Sequence, residues 1–314
     1  MTPNPRQTGR DSLYQSTSAL LTEYDTQIVK YYIDKAVLPK FLGSRNLNQP
    51  ALHTLNWMVN TRPKRPSTSM YGDDDNVGNI GYDTETNNFV VTNQSYHLNY
   101  YQIQEALRSG YMIDNLNPAE TGLNIAREVD YICMNGNTTP ALTGILSTTG
   151  VTDAGAPTGA WDTTSNAYND LLAIVDAVRN KGYMGTLNML ATQGIKKIMY
   201  RFIGDGTDTF PVTVEQWVKD TLLNGGEIYY SSSPFTANSG PSTTDANTGT
   251  DGTAVNKVLV AAPEAADIVY AHGLQSIDRP AKSNEIYRDV FVKYTVQVKQ
   301  PYWIAFMDAI DATG

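Results

Sequence analysis

The segment from Asn117 to Gly136 carries both of its own end signals. Asn117 is a preferred N-cap, Pro118 fits the first helical position, and Glu120 can complete a capping box. Asn135-Gly136 is a left-handed stop pair. Between them Leu123, Ala126, Val129, Ile132 and Cys133 recur at helical spacing, which predicts a helix over 118–134 with one packed face. Cys133 on that face reads as a small core residue rather than a nucleophile.

A second helix is predicted near the start. Asp11 and Ser12 can cap it, and Leu13, Leu20, Leu21, Tyr24, Ile28, Tyr31 and Tyr32 form an apolar stripe. Pro39 restricts Leu38 and is predicted to end it. With no core evident before it, such a helix must find another surface to cover. Residues 60–96 differ in kind. They open on Thr61-Arg62-Pro63-Lys64-Arg65-Pro66, pass through Gly72-Asp73-Asp74-Asp75, and end in strand-like Phe89-Val90-Val91. A polar tip between extended flanks reads as a long hairpin standing away from a core.

Further along, 166–181 is predicted as a helix on Leu171, Leu172, Ile174, Val175 and Val178, ended by Lys181-Gly182. Leu187 to Ala191 reads as a strand, 193–203 and Trp217 to Leu223 as helices, and Glu227 to Tyr230 as a strand. Residues 231–253 are almost wholly Ser, Thr, Gly, Asn, Asp and Pro, an exposed loop. Val258 to Ala261 is a buried strand, 290–298 an alternating one, and Pro301 to Ile310 closes the chain. No internal repeat is visible.

Composition narrows the function. One cysteine excludes an internal disulfide and suits a reducing compartment. The first residues lack the apolar core of a secretory signal, and no apolar run approaches the ~18 residues a membrane helix needs. Net charge is −9, unevenly spread. Residues 1–65 hold nine Lys/Arg against four Asp/Glu, and the remainder holds 14 against 28. A basic arm ahead of an acidic body concerns partners rather than fold. Twenty tyrosines against seven phenylalanines fit either subunit interfaces or half-buried strands.

Signatures of catalysis are missing. There is no phosphate loop, no dinucleotide fingerprint and no Gly-x-Ser-x-Gly. Gly204-Asp205-Gly206-Thr207-Asp208 resembles one calcium-binding nonapeptide turn, but such turns work as repeats. Asp73-Asp74-Asp75 lacks the alternation of an EF-hand and reads as a solvated tip. His53, His97 and His272 have no signature around them, and His97 alternates with Tyr96 and Leu98 on a predicted strand. The expectation is therefore no catalytic, cofactor-binding or metal-ligating residue, and no cofactor.

The order of segments resembles the major capsid proteins of tailed phages and the related encapsulin shells, the Hong Kong 97-type fold. The likeness rests on Glu128 to Gly136 closing the long helix, on Gly144-Ile145-Leu146 and Gly150-Val151, and on Ile174 to Arg201 followed by Gly225-Gly226-Glu227-Ile228 and Ser233-Pro234. It continues through Val258-Leu259-Val260, Asp267-Ile268-Val269-Tyr270 and Pro301-Tyr302-Trp303-Ile304-Ala305. The long arm before residue 40 and the 231–253 loop depart from short-armed encapsulins and fit a virus better.

The resemblance implies an α+β chain with an N-terminal arm at 1–40 and a peripheral domain at 41–150. That domain would include an extended E-loop at 60–96 and a spine helix at 118–134. An axial domain would follow at 151–290, and a C-terminal strand at 291–314 would return to the peripheral domain. It implies a non-enzymatic shell protein of a virion, assembled in the host cytoplasm. Its partners would be copies of itself in hexamers and pentamers, with double-stranded DNA held non-specifically on the inner face. Scaffold, portal or decoration proteins are further partners, and no membrane is involved. An encapsulin-type compartment is the alternative, and a soluble hydrolase a more distant one. Some relatives cross-link a loop lysine to a neighbour's asparagine; Lys64 is suitably placed, but no acceptor is identified. The basic arm, 11–38, is expected to dock on neighbouring subunits through its apolar stripe, with Lys30, Lys35 and Lys40 near their carboxylates.

Overall fold

The computed structural model describes residues 25–47, 53–61, 81–99, 101, 108, 116–161, 164–201, 213–231, 234–235, 256–282 and 285–310. The chain divides into two compact units. One comprises Met1–Ala36, Val91–Val129 and His272–Lys293; the other comprises Val37–Val90, Asp130–Ala271 and Tyr294–Gly314.

Strand β10 (Asn256–Ala261) is the middle of a five-stranded sheet. It pairs antiparallel with β8 (Asn188–Ala191) on one side and β13 (Ile304–Ile310) on the other. Beyond them lie β9 (Ile228–Tyr230), parallel to β8, and β7 (Thr152–Asp153), parallel to β13. Val258, Leu259, Val260 and Ala261 are all buried, as an unbroken apolar run should be in a strand covered on both faces. Helix α4 (Thr164–Arg179) packs on β10 and β13. Its Leu171, Ile174, Val175 and Val178 step by threes and fours and all are buried. It ends where Gly182 takes φ 90° and its N–H bonds the carbonyl of Arg179 at 2.8 Å. The edge strands β7 and β9 are only two and three residues long, which leaves little edge for unwanted pairing.

A four-stranded sheet has the order β1-β11-β12-β4, with β1 (Ser44–Asn46), β4 (Val90–Asn99), β11 (Ala266–Lys282) and β12 (Glu285–Val298). β1 runs parallel to β11, Ser44 opposite Ile268. Two further strands, β2 (His53–Thr61) and β3 (Gly81–Asn88), make an antiparallel ribbon with His53 opposite Asn88 and Thr61 opposite Gly81. A small hairpin joins β5 (Gly136–Thr138) to β6 (Ala141–Thr143).

Several expectations need correction. The arm helix, called α1 below, runs through 25–35 and stops before Pro39 is reached. Pro39 instead sits in the first turn of a separate short helix, α2 (Leu38–Leu42), where its missing N–H costs nothing. The long helix α3 spans Leu116–Asn135, so Asn117 lies inside it and is not its N-cap. Pro118 falls in the first turn of the described helix, where proline is tolerated. The hairpin strands are 53–61 and 81–88, whereas Val90 opens β4 of a different sheet; the ribbon therefore starts before residue 60 and ends before 96. Predicted helix 193–203 shrinks to a 3₁₀ turn, Gln193–Ile195, and a short helix α5, Lys196–Met199. The next helix, α6, starts earlier than Trp217, at Val214, where the Thr213 hydroxyl caps the N–H of Gln216, and widens to a π turn over Val218–Leu222. Segment 291–314 holds two strands, not one. The end of β12 lies in the sheet that contains β4, but β13 pairs with β10 in the five-stranded sheet.

Candidate assembly elements

The arm, the long helix and the ribbon are the segments that the resemblance assigns to assembly, and a few side chains hold each of them. The arm is held first at Asp25. Its carboxylate takes the Arg288 guanidinium of β12 at 2.5 Å, and it accepts the Tyr96 hydroxyl of β4 at 3.4 Å. Burial, with the Asp25 carboxylate adding and Arg288 opposing, pushes the Tyr96 phenol up to about 12. From there α1 turns Ile28 and Tyr32 inward, and Ala36 just past its end is buried too; Ile28 is only 1% exposed. Gly122 of α3 explains the closeness: a Cβ there would meet the Ile28 carbonyl oxygen at 2.7 Å and the Tyr31 Cβ at 3.0 Å. Without a side chain at 122, the two backbones approach to a distance no other residue allows.

This corrects part of one expectation. From Asp25 onward Ile28 and Tyr32 of the arm's apolar stripe pack on their own chain, because Gly122 and the Asp25–Arg288 pair supply the partner that the sequence did not reveal, while Tyr31 stays 37% exposed. Leu13, Leu20, Leu21 and Tyr24 lie outside the described residues. Of the three lysines, Lys35 pairs with its neighbour Asp34 at 3.2 Å, both largely exposed. The outward face of α1 keeps Val29 and, at 60% exposure, Ile33.

The second unit is fixed at Asp130. Its fully buried carboxylate accepts the N–H of Val37 at 3.0 Å and of Leu38 at 3.1 Å, the free donors at the start of α2. Phe41 of α2 in turn lends its carbonyl to Asn188 Nδ2 at 2.9 Å and its ring to the edge of Tyr229. The sequence does carry a signal for Asp130: an acid three residues before Cys133 and four after Ala126 sits on the buried stripe, where a charge must have partners.

The exit of α3 is equally tied. Gly136 takes φ 87°, and the N–H groups of Ile145 and Leu146 bond the last helical carbonyls, of Cys133 and Met134, at 3.1 and 3.0 Å. A Cβ on Gly144 would meet the Gly136 nitrogen at 2.2 Å, so the Gly144-Ile145-Leu146 motif is a backbone seat against the helix end. Asn135 Nδ2 donates to the carbonyls of Tyr131 and Pro234. Cys133 is fully buried, and burial with the nearby Asp130 carboxylate raises its thiol well above the ordinary value, consistent with a core residue.

At the β1–β11–β12 junction, Asp267 takes Lys299 at 2.9 Å and Arg45 at 3.4 Å, and Arg45 also donates to Gln297. The predicted candidates for chemistry are not brought together. His53 is on β2; His97, on β4, is exposed and tilts against the Tyr287 ring; His272 is on β11. Lys64, Asp73 to Asp75, Gly204 to Asp208 and nearly all of 231–253 lie outside the described residues. Among the described residues no group of His, Cys, Asp and Glu is arranged to hold a metal, and no helix is long and apolar enough to cross a membrane.

No protein-family model and no curated protein sequence matches the chain. Solved structures do. A virus-like particle from Pyrococcus furiosus superposes with TM-score 0.65 at 12% identity, over 91% of this chain and 98% of its own. The capsid of the Myoviridae phage XM1 gives 0.56 at 12% identity, over 88% and 91%. A capsid from an empty GTA particle gives 0.58 at 14% identity, over 88% and 90%. The chain thus has the α+β Hong Kong 97-like fold of capsid shells, at sequence identities too low to carry more than the fold.

Proposed function

We propose that the chain is the major capsid protein of a tailed virus, copies of which assemble as hexamers and pentamers into an icosahedral shell around double-stranded DNA. The observation that carries this reading is the fold shared with shell subunits over nearly the whole chain rather than over one domain. Supporting it, the acidic balance beyond residue 65 lets a polyanion sit against the shell without adhering, since phosphate contacts by Lys/Arg are what bind DNA non-specifically. In this reading α3 is the spine, β2–β3 the base of the E-loop, and 1–40 the arm, with α1 bound to its own subunit. The peripheral domain is built on α3 and the four-stranded sheet. The axial domain is built on the five-stranded sheet and includes β13. The protein's place is the virion, after assembly in the host cytoplasm, with scaffold, portal or decoration proteins as further partners.

A second reading, an encapsulin-type compartment, is favoured by one observation: the Pyrococcus furiosus particle is matched over 98% of its chain and at a higher TM-score than the phage XM1 capsid. Electron microscopy of the purified full chain tests both. Closed shells or capsomer-sized rings support a shell protein, and a discrete monomer or dimer overturns it. Genes for a portal and a terminase beside this one favour the virus; a gene for an enzyme cargo favours the compartment.

A further inference from the structure

We infer that Asn87 and Asn88 form a two-point clamp that sets the direction of the β2–β3 ribbon. The two residues are adjacent at the ribbon's root, where β3 ends and His53 closes the last pair with Asn88. Their side chains act on different neighbours. Asn87 Nδ2, buried, donates to the carbonyl of Val296 in β12 at 3.0 Å. Asn88 Nδ2 donates to the carbonyl of Ala141 in β6 at 3.1 Å. Successive side chains of a strand leave on opposite faces, so one donor holds each face of the ribbon. The next residue, Phe89, is buried against Val269 and Ala271, with Leu47 beside them, and stops the root from sliding along its axis.

A clamp is needed because a two-stranded ribbon has no core of its own and does not fix its own angle to the body. At ~3.4 Å per residue, the eight residues of β3 make a lever of about 25 Å, so a tilt of about 10° at the root moves the far end by about 4 Å. That displacement is the size of a strand spacing, enough to lose one set of contacts on a neighbouring copy and gain another. The consequence for assembly rests on the shell reading: the clamp determines which neighbour position the ribbon reaches, and hence how uniform the shells are. Asparagine suits this use, since its short amide both reaches a backbone carbonyl and resists rotation better than a longer side chain.

The test compares the unsubstituted chain with Asn88→Ala, Asn87→Ser/Asn88→Ala, and Asn88→Gln, which keeps the donor. Spin labels are placed on Asp83→Cys in β3 and on Asp176→Cys, at an exposed residue of α4; Cys133 is buried and stays unlabelled. In unassembled subunits of equal thermal stability, the label-to-label distance distribution should be narrow for the unsubstituted chain and only slightly wider for Asn88→Gln. It should be about twofold wider for Asn88→Ala and wider again for the double variant. In assembled protein the same variants should give mixed particle diameters where the unsubstituted chain gives one. Unchanged widths and uniform particles would overturn the clamp. Should the double variant not fold, Asn88→Ala, at an exposed residue, decides alone. Failure of the unsubstituted chain to form particles would sink the shell reading, and the distance measurement would still decide the clamp.

Discussion

The carboxylate of Asp130 accepts the N–H of Leu38 at 3.1 Å, across 92 positions of the chain. The same group takes the N–H of Val37, so one buried acid caps a helix far away in sequence and locks it to the end of α3. Asp130→Ala would leave two donors without an acceptor, at about 1–3 kcal/mol each. Asp130→Asn keeps one acceptor oxygen and should cost about 1–2 kcal/mol. Thermal or urea unfolding of the unassembled subunit measures both, and equal stability of Asp130→Ala and the unsubstituted chain would remove Asp130 from this role.

Gly122→Ala sets two effects against each other. Alanine gains about 1 kcal/mol over glycine in a helix interior. Against that, its Cβ would sit 2.7 Å from a backbone oxygen of α1, which cannot swing aside as a side chain could. Overpacking of this kind costs about 1–3 kcal/mol, so net destabilisation is expected. A stabilised variant would mean that α1 and α3 are not in contact.

Two aspartates on α1 separate own-subunit packing from outward surface. Ile28→Asp buries a charge at a residue 1% exposed and should unfold the arm or the subunit. Ile33→Asp, at 60% exposure, should leave subunit stability within about 0.5 kcal/mol. Circular dichroism melts of the two unassembled variants read the contrast; similar losses in both, or none in either, would contradict the burial.

Stability should fall at high pH in a way that Tyr96 contributes to. Its phenol is raised from 10.0 to about 12 in the folded chain, so the neutral form is the one the fold favours. The unfolded chain then holds fewer protons than the folded one between these values. The contribution is complete below pH 10, and is lost as pH climbs from 10 towards 12. Tyr183, also pushed to about 12 by burial and Glu264, adds to the same slope. Tyr96→Phe should flatten the decline without abolishing it. At neutral pH it should cost under about 1 kcal/mol, because the hydroxyl's bond to Asp25 is long. Unfolding free energy measured from pH 8 to 11.5 decides; an unaltered slope would mean the phenol is not buried.

What the sequence determined by itself is the set of elements whose signals are local. The stripe Leu171, Ile174, Val175 and Val178 made α4, the run Val258 to Ala261 made a fully buried strand, and Asn135-Gly136 stopped α3 where it was expected to. Each follows from the spacing or backbone preference of neighbouring residues, and the order of these elements was enough for the fold. The tertiary structure alone decided everything that depends on a partner far along the chain. Asn117 looked like a cap, yet Leu116 before it is already helical, since a cap preference of about 1 kcal/mol only weakly fixes where a helix starts. Pro39 looked like a stop and became a start, since Asp130 supplies the acceptor that lets a new helix begin there. Ile28 and Tyr32 of the arm's stripe looked free and are covered, through a glycine at 122 and an acid at 25 whose partners lie on other elements. Contacts of that kind are made by distance in space, and a single sequence records only distance along the chain.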